Sequence, residues 1–188
     1  MLDSLRKYAD WRVIEFFLRN PTRKVYVKEL SAELGVSSFT ASRTLSRLRA
    51  GSFLECEELA RAKFYSLVDN PMTRALKRFR VLADLQAAKF VESLLKADSD
   101  LAVAVIYGSC ATGDYDERSD VDIIIVSDKP DSVFANAART AAKTMGMEVN
   151  PQVYTLAGWR DIADKDRTFY ESVIRNSVVI HGSGLVVK

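Results

Sequence analysis

The sequence predicts an α+β fold in two parts, a helical front part that ends in a β-hairpin and a back part built on a small mixed sheet. Apolar residues recur at helical spacing through residues 13–48 and give way to two short strand-like runs over 52–68. A helical pattern without a breaker covers 71–97. Two apolar runs, 101–107 and 121–126, then have the length and composition of buried strands.

Charge is divided unevenly between the two parts. Residues 1–80 carry a net charge of +7 and residues 81–188 a net charge of −5, which together give the chain its +2. A basic half and an acidic half suggest two parts with different partners. Chance variation along the chain is the alternative.

The composition excludes several classes of protein. No run of about 18 or more apolar residues exists, so no membrane span is expected. The N-terminus lacks the pattern of a secretory signal. Cys56 and Cys110 stand far apart in unrelated contexts, which argues against a disulfide and favours a cytoplasmic location.

The front part contains two short helices joined by a Gly-Val-Ser turn, which is the pattern of a helix-turn-helix. The first helix ends at Gly35, and the second runs to Gly51 with Ser37 or Ser38 as its N-cap. Two strands around a tight turn follow. The block over residues 8–68, with "ELSAELGVSSFTASRTLSRLRAGSFLE" at its centre, resembles the winged helix-turn-helix of many prokaryotic transcription regulators.

This resemblance implies that the second helix reads double-stranded DNA. A recognition helix needs small polar side chains near its N-terminus to approach base edges, and cations to meet phosphates. The predicted DNA-binding residues on this helix and around the hairpin turn are Ser38, Thr40, Ser42, Arg43, Arg47, Arg61 and Lys63. The alternative is a three-helix module for protein contacts or dimerisation, with solvated arginines.

A long linker helix is predicted over residues 70–97. Asn70 caps it with Pro71 at the first helical position, and no breaker follows until about Ala97. A helix of this length would reach about 40 Å. It could link two domains and offer an apolar stripe to a second subunit, so a homodimer is one expectation. An ordinary packing stripe within one chain is the alternative.

The stretch "IYGSCATGDYDERSDVDIIIV" places carboxylates at the mouth of a buried strand. Residues 114–122 hold five acids and one arginine, and strand periodicity puts Asp120 and Asp122 on one face. Two carboxylates so close repel each other, and partial burial raises the cost, so a positive partner is expected. Mg²⁺ accepts one or two carboxylates together with phosphate oxygens, and it is the predicted cofactor.

A Gly-Ser turn at the end of the preceding strand supplies a second element. The backbone N–H groups and the hydroxyl of Gly108 and Ser109 can bind a phosphate, helped by the start of the following short helix. A phosphate site beside a metal site is what phosphoryl or nucleotidyl transfer requires. A loop of solvated acids is the alternative, but it does not explain why the acids open a buried strand.

The same stretch resembles the signature of the DNA polymerase beta-like nucleotidyltransferase superfamily, and most closely the minimal nucleotidyltransferases of prokaryotes that are often grouped with antitoxins. Ser109 stands eleven residues before Asp120, and apolar residues flank both ends. A looser likeness extends over residues 98–184. The matching residues are Gly108, Ser109, Gly113, Ser119, Asp120 and Asp122.

The resemblance implies a mechanism. Asp120 and Asp122 would hold Mg²⁺ against the triphosphate of a nucleoside triphosphate, and Gly108 and Ser109 would bind the phosphate tail. An acceptor hydroxyl would then attack the α-phosphorus and release pyrophosphate. In the minimal relatives the acceptor is often a partner toxin protein, so a protein acceptor is one expectation.

The sequence departs from the family pattern at the third carboxylate, which normally lies on a later strand. In "MEVNPQVYT" the family position falls near Asn150, a neutral and weak metal ligand. Glu148 shares that face one pleat away, about 6–7 Å along the strand, and is the predicted third catalytic residue. Pro151 argues for an edge strand or a bulge. Either Glu148 substitutes, or the site binds nucleotide without efficient turnover.

The sequence therefore predicts three segments: a winged helix-turn-helix over residues 1–69, a linker helix over 70–97 and a nucleotidyltransferase domain over 98–188. The first hypothesis is a Mg²⁺-dependent enzyme that transfers a nucleoside monophosphate to an unidentified acceptor. The second is a DNA-binding transcriptional regulator in which a degenerate nucleotidyltransferase domain senses a nucleotide or a partner.

Overall fold

The computed structural model describes residues 5–185. Residues 1–4 and 186–188, which the predicted domain ranges include, lie outside the described residues. The chain forms two compact units, residues 1–80 and 81–188.

The N-terminal unit contains short helices and a small antiparallel sheet. Its helices are α1 (Ala9–Arg19), α2 (Val27–Leu34) and α3 (Ser38–Ala50), and its strands are β1 (Val25–Tyr26), β2 (Leu54–Leu59) and β3 (Ala62–Leu67). The strand order is β1-β3-β2. Apolar side chains of the helices pack against one face of this sheet and form the core of the unit. The buried core residues are Val13, Phe16, Phe17, Leu18, Val25, Leu30, Leu45, Phe53, Leu54 and Tyr65.

Local signals fix the ends of these elements. Gly35 ends α2 in the left-handed conformation, at φ 59°. The Ser37 hydroxyl accepts a hydrogen bond from the Thr40 N–H at 3.1 Å and caps α3. Ala60 and Arg61 both have positive φ, which suits a two-residue hairpin turn between twisted strands. The predicted helix pair and hairpin are therefore present, while the winged-helix assignment stays a prediction.

The single long helix predicted over 70–97 is wrong. Helix α4 (Pro71–Ala87) ends at a turn where Lys89 adopts φ 52°, and a separate helix α5 (Phe90–Ala97) follows. In a straight helix Phe90 and Leu94 would point about 140° and 180° away from Leu85. The turn brings all three into one core. Residues 81–97 therefore belong to the C-terminal unit rather than to a linker.

The C-terminal unit is built on the predicted small mixed sheet. Its further helices are α6 (Gly108–Thr112), α7 (Ala135–Met145), α8 (Leu156–Lys165) and α9 (Arg167–Asn176), with a 3₁₀ turn at Asp131–Val133. Its strands are β4 (Val103–Tyr107), β5 (Val121–Val126), β6 (Val149–Tyr154) and β7 (Val178–His181). The strand order is β6-β5-β4-β7, with β5 and β6 parallel and the other pairs antiparallel. Strand β6 lies at an edge, as Pro151 predicts.

Both faces of this sheet are covered. Val121, Ile123 and Ile125 pack with α5 and α7 in one core. Ile124 and Val126 pack on the other face, which the Trp159 side chain of α8 and the α9 residues cover. Asp120 and Asp122 alternate with the first set along β5, so they lie on the Trp159 side, at the open end of the strand.

Two predictions from composition can be compared with the structure. Neither Cys56 nor Cys110 forms a disulfide. Among residues 5–185, no helix has the combination of length and apolar character that a membrane crossing needs.

Candidate functional site

The candidate site lies at one edge of the C-terminal sheet, where residues at the ends of three neighbouring strands form a row across the sheet: Tyr107, Asp122 and Asn150. Asp122 of β5 stands opposite Tyr107 of β4 in the antiparallel register and opposite Asn150 of β6 in the parallel register. Side chains directly opposite each other across paired strands point to the same face. Asn150, near which the family resemblance predicts a third carboxylate, therefore lies on the same face of the sheet as Asp122.

The Gly-Ser turn packs directly against one of the aspartates. Gly108 has φ +70°, and a Cβ atom built on it would lie only 2.9 Å from Oδ2 of Asp122. Only a glycine accepts both this conformation and this close approach. The predicted phosphate turn and the predicted metal carboxylate are thus neighbours in the structure.

The backbone of Ser109 is firmly held. Its carbonyl oxygen accepts hydrogen bonds from the N–H groups of Gly113 and Asp114, at 2.9 and 3.0 Å, and from the Thr112 hydroxyl at 3.3 Å. Helix α6 has only five residues, so its dipole is weak. A phosphate grip here would therefore depend on the Ser109 hydroxyl and the N–H groups of the turn.

Asp120 is positioned by neutral partners. Nδ2 of Asn150 donates a hydrogen bond to Oδ2 of Asp120 at 2.6 Å. The Cys110 thiol donates to the Asp120 carbonyl oxygen at 3.2 Å. Neither contact brings a positive charge to the carboxylate.

The loop before β5 forms its own hydrogen-bond network. The Asp116 carboxylate accepts from the Arg118 N–H and the Ser119 hydroxyl, at 2.9 and 3.0 Å, and these bonds hold its pKa below the ordinary value. Ser119 in turn accepts from the Asp116 N–H. The motif residue Ser119 therefore shapes the turn that leads Asp120 into the sheet.

The electrostatics of the row differ from those of the loop. Burial raises the pKa of the Asp122 carboxyl, and the neighbouring charge of Asp120 raises it further. Burial, with the charge of Asp122 and the nearby Tyr154, raises the pKa of the Tyr107 phenol to about 12. The site thus holds two carboxylates that repel each other beside a phenol that stays neutral at physiological pH.

Mg²⁺ fits this donor set because the ion is commonly held by one or two carboxylates together with substrate phosphates. Asp120 and Asp122 provide those carboxylates, and no cation compensates Asp122 among the described residues. Within residues 5–185, no group of three or more His, Cys, Asp or Glu side chains could hold a metal ion. The Glu148 side chain is exposed, and its carbonyl oxygen accepts from the Val121 N–H. Its catalytic role stays a prediction.

Sequence reasoning missed two residues of the site, Tyr107 and Cys110. Tyr107 immediately precedes the Gly-Ser turn, and only the antiparallel register brings it opposite Asp122. Cys110 follows Ser109, and nothing in its sequence context indicates a contact with Asp120. Its contact with Asp120 depends on the short helix α6, which the sequence indicates only weakly.

The predicted DNA-binding residues lie on the exposed side of α3 and on the hairpin. Ser38, Ser42, Arg43, Arg47, Arg61 and Lys63 are exposed, and Thr40 is half-buried. Arg47 forms an ion pair with Asp10 of α1, and the same carboxylate accepts from the Thr44 hydroxyl. Lys63 stands opposite Glu58 in the hairpin. The two arginines of α3 therefore differ: Arg47 is in an ion pair with Asp10, whereas Arg43 forms no ion pair within residues 5–185.

Comparison with protein families agrees with this geometry. Residues 86–174 match the model of a family described as a nucleotidyltransferase domain. The matched range is just under half of the chain and contains the Gly-Ser turn, both aspartates and Asn150. It supports a nucleotidyltransferase domain in the C-terminal unit. A search of curated proteins finds no match to this chain.

Proposed function

We propose that the C-terminal unit transfers a nucleoside monophosphate from a nucleoside triphosphate to a hydroxyl-bearing acceptor, with release of pyrophosphate. The family match supports the general class. The observation that carries the proposal is the packing of the Asp122 carboxylate against Gly108. This contact places two carboxylates that lack a compensating cation beside a turn that can bind phosphate.

Each residue of the row has a distinct part in this proposal. Asp120 and Asp122 bind the cation that accompanies the triphosphate. Ser109 binds the phosphate tail through its hydroxyl and the N–H groups of its turn. Asn150 orients Asp120 through its amide. Tyr107 is a neutral hydrogen-bond donor, because its pKa is raised to about 12.

Mg²⁺ bound by Asp120 and Asp122 would neutralise charge on the phosphate oxygens as pyrophosphate departs. A protein is the proposed acceptor, by analogy with the minimal relatives. The proposal includes a cytoplasmic location, which suits two cysteines that form no disulfide and a nucleotide substrate.

The test is a transfer assay with the full chain, Mg²⁺, α-labelled nucleoside triphosphates and a protein extract as the source of acceptor. Asp122→Asn is expected to lower pyrophosphate release and labelling about 100-fold or more, because preorganised charge is lost where the transition state needs it. The matched control is Asp128→Asn, an exposed carboxyl group beyond the other end of β5. Unchanged turnover in Asp122→Asn would exclude the proposed role.

A second candidate function is a DNA-binding regulator, and two observations favour it. The exposed side of α3 carries serines and arginines and no acid. In the C-terminal unit, a neutral Asn150 stands opposite Asp122, and the family resemblance leads us to expect a third carboxylate near this residue. In this candidate the N-terminal unit binds double-stranded DNA as a winged helix-turn-helix, with a homodimer on two half-sites, and the C-terminal unit senses nucleotide.

Duplex DNA binding by the full chain tests this candidate. Affinity is expected to fall steeply as salt is raised, because phosphate contacts release counterions. The double variant Arg43→Ala/Arg47→Ala is expected to bind more weakly. Equal affinity of this variant and the wild-type chain would count against α3 as the DNA-contacting helix.

A further inference from the structure

The most exposed large apolar side chain among the described residues is Phe39, in the first turn of α3. It is 75% exposed, so it contributes little to the core of the N-terminal unit. Large aromatic side chains usually bury most of their surface. A phenylalanine held open on a rigid helix is therefore a candidate contact residue.

The surroundings of Phe39 are basic and small. The Arg43 guanidinium lies over its ring, 5.8 Å from the centroid, one helical turn further on. Ser38 and Ser42 flank the pair and are exposed. Helix α3 contains no acidic residue. An apolar ring that carries a cation, on a helix that itself has no acid, fits an anionic partner that also offers apolar groups.

The helix that carries this pair is held in place. The Thr44 hydroxyl and the Arg47 guanidinium both donate hydrogen bonds to the Asp10 carboxylate of α1. Ala41 and Leu45 are fully buried against the core. Phe39 and Arg43 therefore project from a fixed platform, which is what a contact that must discriminate between bases requires.

Duplex DNA is the partner that matches both features. In the major groove, thymine alone offers a 5-methyl group, which Phe side chains contact, and guanine offers the O6 and N7 acceptors that arginine binds. Residues four apart on a helix are about 6 Å apart along its axis. That is within two base-pair steps of about 3.4 Å.

We propose that Phe39 and Arg43 form a reading pair, in which Phe39 contacts a thymine methyl group in the major groove and Arg43 faces a guanine within two base pairs of it. This inference rests on the second candidate function, DNA binding by the N-terminal unit. Beyond DNA binding itself, it predicts a preference for thymine, which depends on Phe39, and a preference for a nearby guanine, which depends on Arg43.

The experiment removes single groups from the DNA. Full-length protein first selects its preferred duplexes from a randomised pool. Each thymine of the enriched site is then replaced in turn by deoxyuridine, which removes only the methyl group, and each guanine by 7-deazaguanine, which removes only N7. Affinities are measured by fluorescence anisotropy at one fixed salt concentration.

The wild-type chain is expected to lose affinity about fourfold at one deoxyuridine position, the factor that corresponds to one buried methyl group. Phe39→Ala should bind thymine and deoxyuridine duplexes equally well. Arg43→Ala should lose its sensitivity to 7-deazaguanine within two base pairs of that position. Tyr8→Ala, an exposed aromatic variant on another element of the same unit, should behave as the wild type.

The outcomes separate the two proposals. If no duplex binds with a salt-dependent affinity, DNA binding itself is excluded and the reading pair falls with it. If duplexes bind and Phe39→Ala keeps the same thymine preference, DNA binding stands and the reading pair is wrong. If Phe39→Ala changes the oligomeric state in sedimentation without changing base preference, the surface is a contact between copies of the chain and the proposal is overturned.

Discussion

Asp10 in the N-terminal unit and Asp122 in the C-terminal unit have pKa values shifted in opposite directions. Asp10 accepts hydrogen bonds from Thr44 and Arg47, and these lower its pKa. Asp122 is more deeply buried and has another acid, Asp120, as its charged neighbour, so its pKa is raised. The first carboxylate is compensated within its own unit, and the second is not.

The difference sets Asp122 apart from six other carboxyl groups of the described residues. Each of these six has a pKa held below its ordinary value. These groups are Asp10, Glu15, Asp69, Asp98, Asp116 and Glu171. Their partners are arginines, hydroxyls or backbone N–H groups of the chain itself. Asp122 has no such compensating group among the described residues, and carboxyl groups with pKa values raised in this way concentrate at functional sites.

The largest expected effect comes from Gly108→Ala. Its Cβ would meet Oδ2 of Asp122 at 2.9 Å, so the carboxylate must move. Displacement of a catalytic group by about 1 Å can cost about 100-fold, and this loss is expected in the transfer assay. Alanine at this positive φ is also strained, so the free energy of unfolding should fall by about 1–2 kcal/mol, which urea denaturation can measure.

Gly146→Ala is the matched control for that variant. Gly146 has nearly the same φ, +66°, and a Cβ there would meet nothing within 4 Å. It should show the same loss of stability with unchanged transfer activity. Equal activity losses in the two variants would mean that crowding of Asp122 is not the cause.

The next effect sharpens the contrast at Asp120. Asn150→Asp replaces a donor that lies 2.6 Å from Asp120 with a third negative charge. In metal-free buffer the free energy of unfolding should fall by about 1.5–3 kcal/mol, the range for a hydrogen bond to a charged group. Mg²⁺ should restore it, and turnover should rise, because the variant completes a set of three carboxylates.

Asn136→Asp is the matched control for an added charge, because this exposed residue lies on α7, which packs on the opposite face of the sheet from Asp120 and Asp122. It should leave the response to Mg²⁺ unchanged. An Asn150→Asp chain whose melting temperature ignores Mg²⁺ would argue against a metal site formed by Asp120 and Asp122.

Much of this site could be predicted from the sequence because its signals are local. The apolar run after Asp120 and the Gly-Ser turn indicate the strands and where they end. The alternation of β6 puts both Glu148 and Asn150 on one face, and only the family resemblance points to Asn150. The opposition of Tyr107 and Asp122 could not be predicted, because register between strands separated by a loop has no local signal.

The break between α4 and α5 shows the same limit in the fold. Lys89 adopts a positive φ that lysine rarely takes, so no residue type in the sequence marks the turn. The core requires it, because Phe90 and Leu94 must reach the same side as Leu85. Packing between distant elements overrides local helical propensity here.

The opposite pKa shifts of Asp10 and Asp122 predict opposite effects of pH on stability. A raised pKa in the folded state makes the ionised Asp122 unfavourable above the ordinary value of 3.8, so Asp122→Asn should raise the melting temperature at pH 7 in metal-free buffer. A lowered pKa makes ionised Asp10 favourable, so Asp10→Asn should lower it.

The Asp122 difference should shrink as the pH falls through the raised pKa and should vanish below 3.8, whereas the Asp10 difference should begin to shrink only below 3.8 and should vanish below the lowered pKa of the folded chain. Thermal melts of the three chains between pH 3 and pH 7 measure this directly (about four pH points suffice for the sign). Shifts of the same sign in the two variants would remove the contrast between the two carboxylates.

The smallest expected effect divides two arginines of α3 that the sequence alone treats as equivalent. Arg47 is committed to Asp10, whereas Arg43 lies over Phe39. Arg43→Ala removes a guanine contact together with a cation close to the DNA phosphates, so it should weaken DNA binding about fivefold or more and lower the slope of log affinity against log salt by up to about one. Arg47→Ala should change that slope less and lower the free energy of unfolding by less than about 1 kcal/mol, because its ion pair is half-exposed. Identical slopes for the two variants would mean that Asp10 does not withdraw Arg47 from DNA.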